Sequence, residues 1–206
     1  MPPATLPPLA GQHERGAGAE RAGEGAPLGE AFAFLSGLYF RGKLTYASRF
    51  GPGRTFVITS TEGLWHPEHH VRAEHLRRFA TVDIGRGGEA FRAPLARDIR
   101  RVAAAHPDHD VVLLGSIASA KYVDVLGAEL GRRLLFPTDF VGRGDMSRGG
   151  LLLRAARAGE ELDYAPVLDA IRKGKRPPRL APVPGILAEA DGALRRPARD
   201  ASRDGD

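Results

Sequence analysis

Between Val111 and Leu153 the apolar positions fall into runs whose period alternates. Val111-Val112-Leu113-Leu114 is a continuous apolar run closed by Gly115-Ser116, the pattern of a strand buried on both faces. From Lys121 to Leu130 the apolar residues recur at helical spacing, and Leu134-Leu135-Phe136 is a second short run that stops at Pro137. Strand, helix, strand is a βαβ unit, and its crossover forces the two strands to run parallel, so the loops leaving their C-terminal ends share one edge of the sheet. Ligands of open α/β sheets bind at that edge. The loop there, Thr138 to Gly150, is rich in glycine and arginine and opens onto the helix-like Leu151-Leu152-Leu153-Arg154-Ala155-Ala156.

Upstream, Leu35, Leu38, Tyr39, Tyr46, Ala47 and Phe50 recur at helix-compatible intervals, and Gly51-Pro52-Gly53 ends the segment. Phe56 to Thr59 then reads as a buried strand released at Ser60-Thr61-Glu62-Gly63. Arg92 to Ala105 is an amphipathic helix with Leu95, Ile99, Val102 and Ala103 on one face. This order predicts an α/β fold: a three-layer sandwich with a mostly parallel central sheet, in which strands 56–59, 111–114 and 134–136 point the same way. A helix running back to its following strand brings its N-terminal half near that strand's C-terminal end. Tyr39, Arg41 and Lys43 are therefore expected near Ser60, Thr61 and Glu62.

The ends read differently. Residues 1–30 are rich in Pro, Gly and Ala with little apolar periodicity, which predicts a disordered extension. A single domain is expected over 31–173, followed by a basic, Pro-rich, largely disordered tail over 174–206, in which only Pro184 to Ala190 has the pattern of a short helix.

Composition narrows the chemistry. The chain of 206 residues has no cysteine, which excludes disulfides, thiolate metal sites and cysteine nucleophiles. No apolar run approaches the roughly 18 residues of a membrane span, and Met1 to Ala26 lacks the pattern of a secretory signal. A cytoplasmic location is expected. The net charge of +5 permits attraction to polyanions, but GC-rich coding explains the preponderance of arginine better than selection for phosphate binding does.

Three constellations could carry function. Gly115-Ser116-Ile117-Ala118-Ser119-Ala120-Lys121-Tyr122 has the length of a P-loop. Ala120 stands where that loop needs glycine, and Tyr122 stands where it needs the Ser or Thr that binds magnesium. What survives is a helix start capped by Ser116 or Ser119, with Gly115 and Lys121 beside it, able to hold a phosphate or carboxylate. The alternative is a plain cap with a solvated lysine. Gly142 to Gly150 brings Arg143, Asp145, Ser147 and Arg148, with Asp139 just upstream, to the ligand edge. Ser147 or Asp145 can cap the helix, and two arginines at its N-terminus suit a phosphate; the alternative is a capped surface loop. His66, Glu68, His69, His70, Glu74 and His75 form the one dense histidine-carboxylate cluster, but Pro67 and the irregular spacing match no standard metal motif. No metal or other cofactor is expected. The basic run Lys173 to Arg179 has no interleaved aromatics and reads as a solvated tail or a contact for a nucleic-acid backbone.

Taken together, Leu38 to Ala47, the strand 56–59, Glu62-Gly63-Leu64-Trp65-His66-Pro67-Glu68, Val112-Leu113-Leu114-Gly115 and Lys121-Tyr122 resemble, in order and type, the peroxide-stress YaaA proteins and their uncharacterised relatives. The resemblance covers about two thirds of the 31–173 region and implies an α/β domain with a nucleic-acid or nucleobase connection. The turn here begins with Glu62, and Pro- and Gly-rich sequence stands where many relatives have a polar N-terminal strand. No catalytic residue is assigned from it.

The expectation is thus a protein directed at nucleotides, nucleobases or nucleic acid through an anion-binding edge. Arg41, Lys43, Ser60, Thr61, Gly115, Ser116, Lys121, Asp139, Arg143, Ser147 and Arg148 are its candidate binding residues. Glu62, Asp145 and Ser116 are the candidates for acid, base or nucleophile. Two alternatives stand beside it: a non-catalytic module for nucleic acid or a protein partner, and an enzyme acting on a phosphorylated or carboxylated metabolite.

Overall fold

The helical spacing upstream of Gly51 produces the longest element, α1 (Leu28–Phe50), which is broken at Gly37, where φ is 68°. Only glycine adopts that conformation without strain. The structure is a computed structural model that describes residues 25–181 apart from 87, 119, 172 and 173. Before α1, the strand β1 (Ala26–Pro27) pairs antiparallel with β4 (His70–Val71), and Leu28 is fully buried. Residues 26–28, inside the segment that composition assigned to the disordered extension, are thus paired and packed, because Leu28 completes a small core with Val57, Val71 and Phe79.

The remaining elements are β2 (Val57–Ile58), β3 (Leu64–Trp65), α2 (Ala73–Ala80), α3 (Glu89–Ala105), β5 (Val111–Val112), α4 (Ala120–Leu130), β6 (Leu134–Pro137), α5 (Asp145–Ala158) and β7 (Tyr164–Pro166). They include the predicted strands and helices, and add β3 and α2 within the expected long loop and β7 after the last expected helix. The βαβ unit forms as expected: β5 and β6 run parallel, with Val111 opposite Leu134 and Val112 opposite Leu135. Its core is built from the predicted faces, with Leu95, Ile99, Val102, Val123, Val125, Leu126, Leu134, Phe136 and Leu152 buried together.

The chain is a mixture of helix and strand, but its described strands make three small sheets. Parallel pairing is confined to β5 and β6, and β7 closes that sheet antiparallel, with Phe136 opposite Ala165. The expected common sheet of strands 56–59, 111–114 and 134–136 is corrected here, because β2 pairs antiparallel with β3 in a sheet of its own. The reason is local. Thr59 takes the turn in hand: its N–H and its hydroxyl both donate to the Gly63 carbonyl, and its Oγ1 accepts the Glu62 N–H. Gly63, at φ 81°, supplies the left-handed step. A hairpin closed across so few residues costs far less chain entropy than a pairing with a distant strand.

Residues 174–181, where composition places the start of the tail, have no regular secondary structure and lie along α5. Arg143 donates to the Pro178 carbonyl and Arg154 to the Ala181 carbonyl. The predicted helix at 184–190 lies outside the described residues.

Candidate anion-binding site

Helical spacing explains the first part of the site. Tyr39 and Lys43 stand four residues apart on α1, so their side chains share a face, and the Lys43 ammonium lies 4.2 Å from the centroid of the Tyr39 ring. A cation over an aromatic face is attracted by the ring quadrupole. Tyr39 in turn donates its hydroxyl to the Leu114 carbonyl at 3.0 Å, just past β5. Its ring meets Phe140, just past β6, edge to face at 6.3 Å. Tyr39 thereby ties α1 to the C-terminal ends of both parallel strands, the edge where α/β sheets bind ligands.

Two glycines decide how close α5 comes. A Cβ on Gly42 would sit 2.7 Å from the Gly149 carbonyl oxygen, and one on Gly149 would sit 2.9 Å from the Leu38 carbonyl oxygen. With both absent, the backbones of α1 and α5 touch. This close approach brings Arg148 into reach of the α1 face. Arg148 is buried; its Nε and Nη2 donate to the Phe140 carbonyl at 3.3 and 3.2 Å, and its Nη1 to Asp145 Oδ1 at 3.4 Å. Lys121, in the first turn of α4, carries its ammonium 5.1 Å from the Tyr122 ring centroid.

The electrostatics of this cluster are unbalanced. Burial pulls the Lys43 pKa down; Asp145 opposes that fall, while Arg148 and Lys121 deepen it. Among the described residues no carboxylate lies within ion-pair distance of Lys43 or Lys121. The single carboxylate, Asp145, is largely exposed and already shared with Arg148. Burial also pushes the Tyr39 phenol up, with Arg148 opposing. Tyr39 is therefore a neutral hydrogen-bond donor near neutral pH rather than an anion. The arrangement can offer positive charge and hydrogen-bond donors to an anion, partly out of water, where charge–charge attraction is strong.

The other predicted residues divide between neighbouring places. Ser60, Thr61 and Glu62 do not meet the α1 cations as the helix-to-strand argument expected. Ser60 is buried and donates to the Phe79 carbonyl at 2.6 Å, and Glu62 pairs with Arg78 at 2.7 Å. Thr61 Oγ1 is buried with no hydrogen-bond partner among the described residues. Tyr39 is held instead at the end of β5, which leaves the β2–β3 turn to α2 and α3. Ser116 does not cap α4; its Oγ accepts the Ala118 N–H at 3.3 Å inside the loop. Gly115 adjoins it, half-buried, and Ser119 lies outside the described residues. The capping roles given to Ser147 and Asp145 are likewise corrected: Gly144 is the N-cap of α5, without a side-chain bond, and both residues lie within the first turn. Arg143 turns away to bond the Asp139 carbonyl, Ser147 Oγ and Pro178 carbonyl. Asp139 is exposed, and Arg41 is half-buried on α1.

Among the described residues no group of three His, Cys, Asp or Glu is placed to hold a metal ion. The histidines pack against rings instead: His66 on Phe56, and His69 and His75 on Trp65. His75 Nδ1 also accepts the Arg72 N–H at the start of α2. No helix among the described residues is long and apolar enough to cross a membrane.

Comparison of the chain with protein families, curated proteins and solved structures finds no match.

Sequence reasoning missed Tyr122 and Phe140 as site neighbours, and it missed the pair Gly42 and Gly149 that closes the site. One signal was present. A glycine inside an otherwise good helix costs about 1 kcal/mol relative to alanine and so marks a close approach.

Proposed function

We propose that the protein is directed at nucleotides, nucleobases or nucleic acid, and that it holds the ligand's phosphate with Lys43, Lys121 and Arg148 at the C-terminal edge of β5 and β6. The observation that carries this reading is the half-buried Lys43 ammonium, set beside two further cations with one shared carboxylate among them. Burying a cation beside like charges disfavours the folded state, and an incoming anion would offset that cost. The YaaA resemblance supports the same reading, since Tyr39, Lys43, Lys121 and Tyr122 are among the residues that carry it and they gather at this edge.

The test is thermal-shift melting of the full chain with orthophosphate, a nucleoside monophosphate, the matching nucleoside and the free nucleobase, because a ligand of the native state raises its apparent stability. The monophosphate should stabilise most and orthophosphate measurably. Lys43→Met, which keeps the aliphatic stem packed, should remove both shifts. A shift retained in Lys43→Met, or equal shifts for nucleoside and monophosphate, would reject the cluster as the phosphate site.

A further inference from the structure

The chain from 174 to 181 turns back over the outer face of α5 and leaves a groove of about 310 Å³ between them. Arg143 and Arg154 line it from one wall, Arg176 and Arg179 from the other, and among the described residues no carboxylate contributes to it. Four guanidinium groups around one groove repel one another unless an anion lies between them. Two of the arginines hold the segment in place, through Arg143 to the Pro178 carbonyl and Arg154 to the Ala181 carbonyl. The Arg154 Nε is buried without a hydrogen-bond partner among the described residues, which leaves a donor in search of an acceptor. The close seat of the segment on its support depends on Gly142, whose missing Cβ would overlap Lys175.

We propose that this groove grips the phosphodiester backbone of single-stranded nucleic acid. Guanidinium groups bind phosphate through paired N–H donors, and their planes also stack on unpaired bases. The exposed Met146 and the ring of Pro177 at the same groove give apolar surface for a sugar or base. The contacts reach backbone rather than base edges, so the binding is expected to be insensitive to sequence. A single strand fits a groove of this size, whereas a duplex would have to rest on its rim. This partner uses a surface apart from the Lys43 cluster and does not depend on it.

Fluorescence anisotropy of a labelled oligo-dT with the full chain, at several salt concentrations, tests the proposal. Each phosphate neutralised on a single strand contributes about −0.7 to the slope of log K against log salt, so the native chain should show a slope of about −2 to −3. The double variant Arg176→Ala/Arg179→Ala changes two exposed residues of the 174–181 segment. It should weaken binding at low salt by about tenfold or more and flatten the slope by about 1.4. The same arginine variant should keep the native chain's thermal shift with orthophosphate, which separates failure of this groove from failure of the phosphate cluster. The proposal is overturned if the arginine variant binds like the native chain with the same slope, if polyglutamate competes as well as oligo-dT at equal charge, or if duplex binds more tightly than single strand.

Discussion

The β2–β3 turn and the α1–α5 crossing both gather charge close to the core, and they treat it in opposite ways. At the turn every charge has a partner. Asp98, buried on α3, accepts the Leu64 N–H at 3.0 Å and the Arg97 guanidinium at 2.7 Å, while Glu62 pairs with Arg78 and its carbonyl accepts from Arg97. Gly63 makes room for this, because a Cβ there would come within 2.6 Å of the Pro94 carbonyl oxygen and overlap the Asp98 carboxylate. At the crossing Lys43 and Arg148 stand together, Lys121 of α4 adds a third positive charge, and among the described residues Asp145 is the carboxylate that opposes them. A compensated cluster holds a fold together; an uncompensated one costs stability, and a ligand of opposite charge can recover it. Position in the chain is no guide to which is which, since Glu62 and Lys43 were both read as candidates for one site.

The largest effect that would break this contrast is expected at Asp98. Asp98→Ala leaves the buried Leu64 N–H without an acceptor and should lower stability by about 1–3 kcal/mol, measured by denaturant unfolding. Phosphate affinity should stay unchanged. A loss of affinity would mean that the turn and the crossing work as one site.

Lys43 should behave in the reverse sense. Its folded pKa lies below the ordinary lysine value of 10.5, so between those two values the unfolded chain binds more protons, and stability should rise with pH across that window. Below the window the ammonium persists in both states and its full burial cost is present. Lys43→Met should therefore melt higher than the native chain at neutral pH, and the gap should narrow as pH climbs toward 10.5. Melting curves taken from pH 7 to 11 without added anion measure this directly. A variant that melts lower at pH 7 would show that Lys43 stabilises the fold and is not held for a ligand.

The smallest effect belongs to Glu62. Its partner Arg78 is half exposed, and pairs of that kind contribute about 0–1 kcal/mol, so Glu62→Gln should shift the unfolding midpoint little and less still at high salt. Its monophosphate affinity, measured by calorimetry, should match that of the native chain. A change beyond about twofold, or roughly 0.4 kcal/mol, would return Glu62 to the binding site.

Much of the fold was legible because it depends on short-range order. The apolar runs at 111–114 and 134–136, with helical spacing between them, specify a βαβ unit whatever the rest of the chain does, and the crossover connection then makes its strands parallel. The same reasoning put Lys121 and Arg148 at one edge. It failed at Phe56 to Thr59, since an apolar run names a strand but not its partner, and the Thr59–Gly63 turn supplies a nearer one. It failed as well for Leu28, a single apolar residue amid Pro and Gly, which only the packing of Val57, Val71 and Phe79 could draw in.

Residue type and spacing by themselves determined which cations were available and which secondary structures would carry them. Tertiary structure alone decided which of those cations would be left uncompensated. That outcome rests on the contact of Gly42 with Gly149, more than a hundred residues away in the chain. It rests equally on the reach of Tyr39 to Leu114 and on the return of residues 174–181 over Arg143 and Arg154. Charge compensation is a property of distances across the fold, and local periodicity contains no record of them.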